Sequence, residues 1–210
     1  MEGLINYSRQ EAMNNELGMA IGYTNVIIGC GGIGFWLGIM LAMNGYEKFI
    51  LIDKDKLEPT NLNRIPAPPT WIGVNKAVAL RKIMSFLRPD TAIKVIPMHI
   101  KEDTIEFFEK VVKRLPACNV WDTTDNATDQ QRIFKVCKGL DSSYHKIGYE
   151  GFKLGVYKNY DIWTAKDYVP GYRTTMANSC SSVMAASLGI FAKGLCDKDF
   201  EVDLKELLTK

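Results

Sequence analysis

A glycine-rich stretch, Gly29-Cys30-Gly31-Gly32-Ile33-Gly34, follows the short apolar run Thr24 to Ile28 and opens a longer one, Ile33 to Met43. Where a strand passes into a helix through glycines, the backbone can approach a phosphate, and the free N–H groups and positive dipole end of the helix hold the anion. Alone, such a loop indicates only a nucleotide. Asp53 ends a second apolar run, Lys48 to Asp53, where a carboxylate accepts from both ribose hydroxyls of either NAD or ATP. Three further segments decide between the two: the stretch from Asp53 through Asp55 and Asn61 to Arg64, then Gly73-Val74-Asn75-Lys76-Ala77, then Asp122-Thr123-Thr124-Asp125-Asn126. A dehydrogenase has no evident use for an arginine, a lysine and an acidic cluster converging at the carboxyl end of a sheet. A triphosphate does: Arg64 and Lys76 would neutralise phosphate charge during transfer, and Asp125 would hold Mg²⁺. Surface charges and helix caps explain these residues singly, but not their joint arrival with the glycine loop.

The elements that must position these groups alternate. A polar amphipathic helix is expected near Arg9 to Ala20, then a strand at Thr24 to Ile28, a helix from Ile33 to Met43 stopped by Gly45, and a strand at Lys48 to Asp53. The spacing predicts a helix over Val74 to Leu87 stopped by Pro89, a strand at Ile93 to Pro97, and a helix from Asp103 to Leu115 capped by Asp103. A strand at Cys118 to Trp121, a helix at Thr128 to Lys138, strands at Tyr144 to Ile147 and Lys153 to Tyr157, and a helix at Ser181 to Leu195 complete the series. Strands alternating with helices of this length demand right-handed crossovers, so the fold class is α/β: a doubly wound, Rossmann-like, mostly parallel sheet with helices on both faces.

With 210 residues, 47% hydrophobic and 24% charged, one globular domain is expected and dominant disorder is excluded. Lys+Arg 26 against Asp+Glu 24 leaves a net charge of +2, which argues against nucleic acid or an anionic membrane as partner. The thirty positions from Leu17 to Tyr46 carry no charge, enough to span a bilayer, yet they hold eight glycines, four of them crowded into one turn. A helix would lose about 1 kcal/mol per glycine relative to alanine, so a buried strand, a tight turn and a buried helix account for the letters better. Met1 to Gln10 lacks a signal-peptide pattern, and five cysteines without a C-x-x-C pair speak against a disulfide scaffold or a cysteine zinc site; a cytoplasmic location is expected.

Taken in order, G-x-G-G-x-G, D-x-D-x-L-x-x-x-N-L-x-R, G-x-x-K-A and D-x-T-D-N, preceded by Tyr7-Ser8-Arg9-Gln10, resemble the activating enzymes for ubiquitin-like proteins, the adenylyltransferases of the ThiF, MoeB and HesA type. The match covers most of residues 7 to 195 and implies one adenylation domain over 1–210, with an N-terminal helical arm at about 1–22 and a crossover loop at about 161–179. It implies ATP- and Mg²⁺-dependent adenylation of the C-terminal glycine carboxylate of a small ubiquitin-like or sulfur-carrier protein. By the same resemblance Gly29, Gly31, Gly32 and Gly34 would cradle the phosphates, and Asp53 and Asp55 would bind the nucleotide. Arg64 and Lys76, assisted by Asn61, would stabilise the transferring phosphoryl group, and Arg9 would act in trans within a homodimer. Cys180 follows the crossover segment at the start of a helix, where a thiol could take an acyl group from the adenylate, although a packing role is the simpler reading. Ile65 stands where the family usually has glutamine, and the paired C-x-x-C motifs common in it are absent. Activation of another carboxylate, on a peptide or a modified tRNA, an NAD-dependent oxidoreductase, and an inactive partner-binding relative are the alternatives.

Overall fold

A computed structural model describes residues 5–140, 142–158 and 177–209. After a short helix α1 (Glu11–Glu16), the chain runs β1 (Thr24–Ile28), α2 (Gly32–Met43), β2 (Lys48–Ile52), α3 (Lys76–Leu87), β3 (Ala92–Ile96), α4 (Ile105–Lys113), β4 (Cys118–Asp122), α5 (Ala127–Gly139), β5 (Ser143–Glu150), β6 (Lys153–Tyr157), α6 (Ser179–Leu195), β7 (Phe200–Asp203) and α7 (Leu204–Leu208). Two single-turn 3₁₀ segments, Pro59–Asn61 and Pro69–Trp71, punctuate the long connection between β2 and α3.

The sheet order is β3-β2-β1-β4-β5-β6-β7. The first five strands are parallel, and β6 and β7 run antiparallel at the far edge. Every residue of β1 and β4 is buried, as expected of strands covered on both faces. One face packs α2, α3 and α6 around Phe35, Leu37, Leu80 and Ile190; the other packs α4 and α5 through Phe108, Val112, Ile133 and Cys137. The strand order reverses between β1 and β4, which is where doubly wound sheets open a crevice at their carboxyl ends.

The uncharged run resolves into β1, the glycine turn and the twelve-residue α2, and among the described residues no helix is long and apolar enough to cross a membrane. Other expectations need correction. The first helix is only six residues, because Gly18 takes φ +58° and turns the chain away. Asp103 does not cap α4; it pairs with Lys101 at 3.1 Å, while Thr104 Oγ1 accepts from the Lys101 N–H and α4 starts one residue later. Strand β7 and helix α7 were not expected: the strand is short and carries Glu201 and Asp203, which conceals its pairing with β6. The crossover segment lies, over residues 161–176, outside the described residues.

His145 on β5 stacks on Trp121 with centroids 4.7 Å apart and contacts Ser143 Oγ at 2.7 Å. Burial first, then Lys158 and Lys193, push its pKa down to about 3 from the ordinary 6.5. A depressed histidine is neutral in the fold, so its contribution is complete above pH 6.5 and is lost as pH falls toward 3, at up to about 1.4 kcal/mol per unit. Denaturant titrations should show stability declining over that window, with a flatter profile in His145→Phe; an unchanged profile would overturn the assignment.

Candidate functional site

The crevice is built on the turn between β1 and α2. Gly29 has φ +87°, and a Cβ there would meet the Thr123 backbone at 3.1 Å. A Cβ at Gly34 would run into the Gly29 carbonyl, so the close crossing of loop and helix admits no side chain. Thr123 closes the same turn from β4: its N–H donates to the Ile28 carbonyl at 2.9 Å and its hydroxyl to that of Gly29 at 2.5 Å. Gly29 and Gly34 therefore shape the loop, whereas Gly31, whose surroundings are open, and Gly32 present the first turn of α2, whose N–H groups lack intrahelical partners. Gly34→Ala should lower stability by about 2–3 kcal/mol, a drop of roughly 4–12 °C in Tm by calorimetry, and Gly31→Ala by much less.

Asp53 lies immediately after β2 and is buried, with both oxygens engaged: Oδ2 accepts from Cys30 N at 2.6 Å and Oδ1 from Asp55 N at 2.7 Å. This carboxylate thereby ties the end of β2 to the glycine loop. Burial raises its pKa, against the opposing pull of those N–H groups and of Lys76. Asp55 faces Lys54 and Lys76, each at 3.3 Å. Partial burial works against its charge, but the two lysines outweigh it and hold the carboxyl below its ordinary range. Asn75 fastens this corner: its amide donates to the Asp53 and Asp55 carbonyls at 2.9 and 3.1 Å, and its Oδ1 caps Ala77 and Val78 at the start of α3. Lys76 is thus delivered by the first residue of a capped helix.

Arg64 reaches the loop from the other side. Trp36 of α2 donates to its carbonyl at 2.9 Å, and its guanidinium donates to Thr60 O and Asn63 Oδ1 at 3.0 and 2.9 Å. Its Cδ would lie 3.0 Å from a Cβ at Gly32. Asn61 is buried with Oδ1 accepting from Glu58 N at 3.1 Å, in a reciprocal capping box that shapes the turn carrying Arg64. Ile65, in the position usual for glutamine, is buried in the core.

The third wall follows β4. Asp122 is fully buried; Oδ1 accepts from the Thr124 N–H and hydroxyl at 3.0 and 2.7 Å, and Oδ2 from Tyr144 OH at 2.9 Å. The Thr124 carbonyl accepts from Gln130 Nε2 at 2.6 Å and from Lys146 Nζ at 2.7 Å. Asn126, not Asp122 or Asp125, caps α5 by accepting from Asp129 N. Asp125 stands exposed at the crest of this braced loop. An exposed carboxylate two residues after the threonine that closes the glycine turn fits a magnesium ion whose remaining ligands are phosphates and water, and no cluster of three or more potential metal ligands occurs among the described residues.

Two candidates stand apart. Arg9 is exposed near Tyr7, which packs against Gly45 and beneath Arg88, at the far end of α2. A twelve-residue helix is about 18 Å long, so Arg9 does not belong to its own chain's crevice. Cys180 is exposed in the first turn of α6, which removes the packing role expected for it. Ser182, two residues on, is buried against Gly32, and its hydroxyl lies 3.1 Å from Tyr149 OH and 2.8 Å from the Asn178 carbonyl. Tyr149, Ser182, Lys146 and Thr123 escaped the sequence reading. Nothing in the run Tyr144 to Ile147 marks Lys146, whose partner Thr124 lies in the loop after β4.

The ThiF family profile matches residues 21–193, and the chain belongs to the ThiF family. The ubiquitin-like modifier-activating enzyme 5 of Aedes aegypti is 27% identical over 161 residues, 73% of this chain and 40% of that protein. The Drosophila mojavensis enzyme of the same name is 38% identical over 131 residues, 58% of this chain and 32% of that one. The chain thus spans less than half the length of these relatives. Escherichia coli MccB has a TM-score of 0.75 at 18% identity, covering 94% of this chain and 66% of that one; its complex with ATP has 0.69 at 20%, covering 83% and 56%. The Escherichia coli tRNA N6-threonylcarbamoyladenosine dehydratase, in complex with ATP, has 0.60 at 22%, covering 70% and 58%. At these identities the structural likeness establishes the shared α/β fold.

Proposed function

We propose that the chain adenylates the C-terminal carboxylate of a small ubiquitin-like or sulfur-carrier protein ending in glycine, using ATP. What supports this reading is that Arg64 lies against the glycine turn, Lys76 pairs with Asp55 next to Asp53, and Asp125 follows by two residues the threonine that closes the turn, a set of charges that a hydride-transfer enzyme would not need. A carboxylate oxygen of the partner attacks the α-phosphorus, its P–O bond forms as the bond to the bridging oxygen breaks, and pyrophosphate leaves. The first turn of α2 holds phosphate oxygens by N–H groups, while Asp53, buried next to the loop, offers its remaining lone pairs to the ribose. Lys76 and Arg64 meet the charge that accumulates on the transferring group. Magnesium, held by Asp125 and the phosphates, would neutralise the triphosphate that otherwise repels the attacking carboxylate.

The test is ATP–pyrophosphate exchange with labelled pyrophosphate, Mg²⁺ and a panel of ubiquitin-like proteins ending in glycine. Exchange with at least one of them, and none after removal of its terminal glycine, is expected; tight NADH binding without ATP binding would overturn the reading. The exposed Cys180 bears on the step after adenylation, so Cys180→Ser should keep full exchange while losing any hydroxylamine-labile adduct with the partner.

A further inference from the structure

Lys146 presents a feature that the adenylation chemistry does not use. It stands on β5 in register with Asp122 of β4, its side chain is buried, and its Nζ donates to the carbonyls of Thr124 and Ile147 at 2.7 and 3.4 Å. Burial pushes its pKa down from the ordinary lysine value, and the carboxylates of Asp122 and Asp125 act against that fall. Asp122 is already committed to Thr124 and Tyr144, so the loop bearing Asp125 is fastened at each neighbouring group: N–H, hydroxyl and carbonyl of Thr124, and the cap made by Asn126.

A bare divalent cation binds oxygen sites in proportion to the negative charge they gather and the number of ligands they offer. Beside Asp125 the second carboxylate is buried and hydrogen-bonded, and a tethered ammonium offsets its charge. A metal ion arriving alone would meet one exposed carboxylate and a fixed cation. An ion arriving on a triphosphate brings its own phosphate ligands and negative charge, and needs only that one carboxylate.

We propose that Lys146 is a positioning residue that makes the Asp125 site selective for a metal–nucleotide complex over the free metal ion, by fixing the Thr124 carbonyl and by offsetting the charge of Asp122. The proposal rests on the adenylation reading of the crevice. Lys146 touches no reacting atom; it decides what Asp125 accepts.

The experiment titrates the full chain with Mn²⁺ as probe, followed by electron paramagnetic resonance, with and without a non-hydrolysable ATP analogue. For the native protein, Mn²⁺ should bind at least tenfold tighter with the analogue than without it. Lys146→Met should bind Mn²⁺ without nucleotide and reduce that ratio to threefold or less, and Lys146→Arg should restore most of it. Thermal melts and near-ultraviolet circular dichroism establish that each variant is folded. Tight Mn²⁺ binding by the native protein without nucleotide overturns the proposal by itself, whatever the variants do, and so does a folded Lys146→Met with the native ratio. If the native chain binds neither the analogue nor its Mn²⁺ complex, the adenylation reading falls as well.

Discussion

Asp125→Ala should reduce ATP–pyrophosphate exchange by at least about 10³-fold, the loss expected when several kcal/mol of charge neutralisation are withdrawn from phosphoryl transfer. The fold should survive unchanged. Asp125 is exposed, and the hydrogen bonds that brace its loop run through Asp122, Thr124, Asn126, Gln130 and Lys146 without using its side chain. The contrast with Asp122→Ala is informative: that change strips partners from the Thr124 N–H and hydroxyl and from Tyr144 OH, so it should lower stability as well as exchange. Exchange at the native rate in a folded Asp125→Ala protein would remove the metal assignment and leave the phosphate loop standing.

The second large effect concerns assembly. Arg9→Ala and Asp125→Ala proteins should each be weak alone, by about 10²-fold or more for the arginine, and mixing them should restore activity. Arg9 sits beyond the far end of α2 from its own glycine loop, so the only phosphate loop it could serve is that of a second chain. After subunit exchange of equal amounts, half of the dimers are mixed, and each mixed dimer has one site with both Asp125 and the partner's Arg9. About a quarter of native activity is therefore the expected ceiling for a two-fold dimer. Met13, Ile21, Tyr23 and Met43 expose apolar surface at that end of the domain and would supply part of the contact. A strictly monomeric protein by sedimentation, with Arg9→Ala fully active, would end the trans reading without touching the chemistry of the crevice.

The strand–turn–helix unit from Thr24 to Met43 was legible because its information is local: a short apolar run that ends in clustered glycines reads as a strand buried on both faces followed by a turn, since the glycines disfavour one continuous helix. The order of Asp53 and Lys76, after β2 and the connection that follows it, and of Asp125, after β4, likewise placed them at one end of the parallel sheet. Sequence alone also settled the doubly wound class, since the alternation of elements leaves few topologies once crossovers must be right-handed.

What it did not settle depended on how backbone and polar atoms come together in space. No pattern of residue types tells that Gly34 is demanded by the Gly29 carbonyl while Gly31 faces open space, that Asp53 spends both oxygens on backbone N–H groups, or that Asn61 uses its Oδ1 to close the turn carrying Arg64. Lys146 was invisible for the same reason: its partners lie on β4 and the loop after it, and parallel pairing across a crossover helix is what brings them within hydrogen-bonding distance. Short-range patterns in a chain record backbone preference and burial, whereas the placing of polar atoms against one another is fixed only when strands from different parts of the sequence close up side by side.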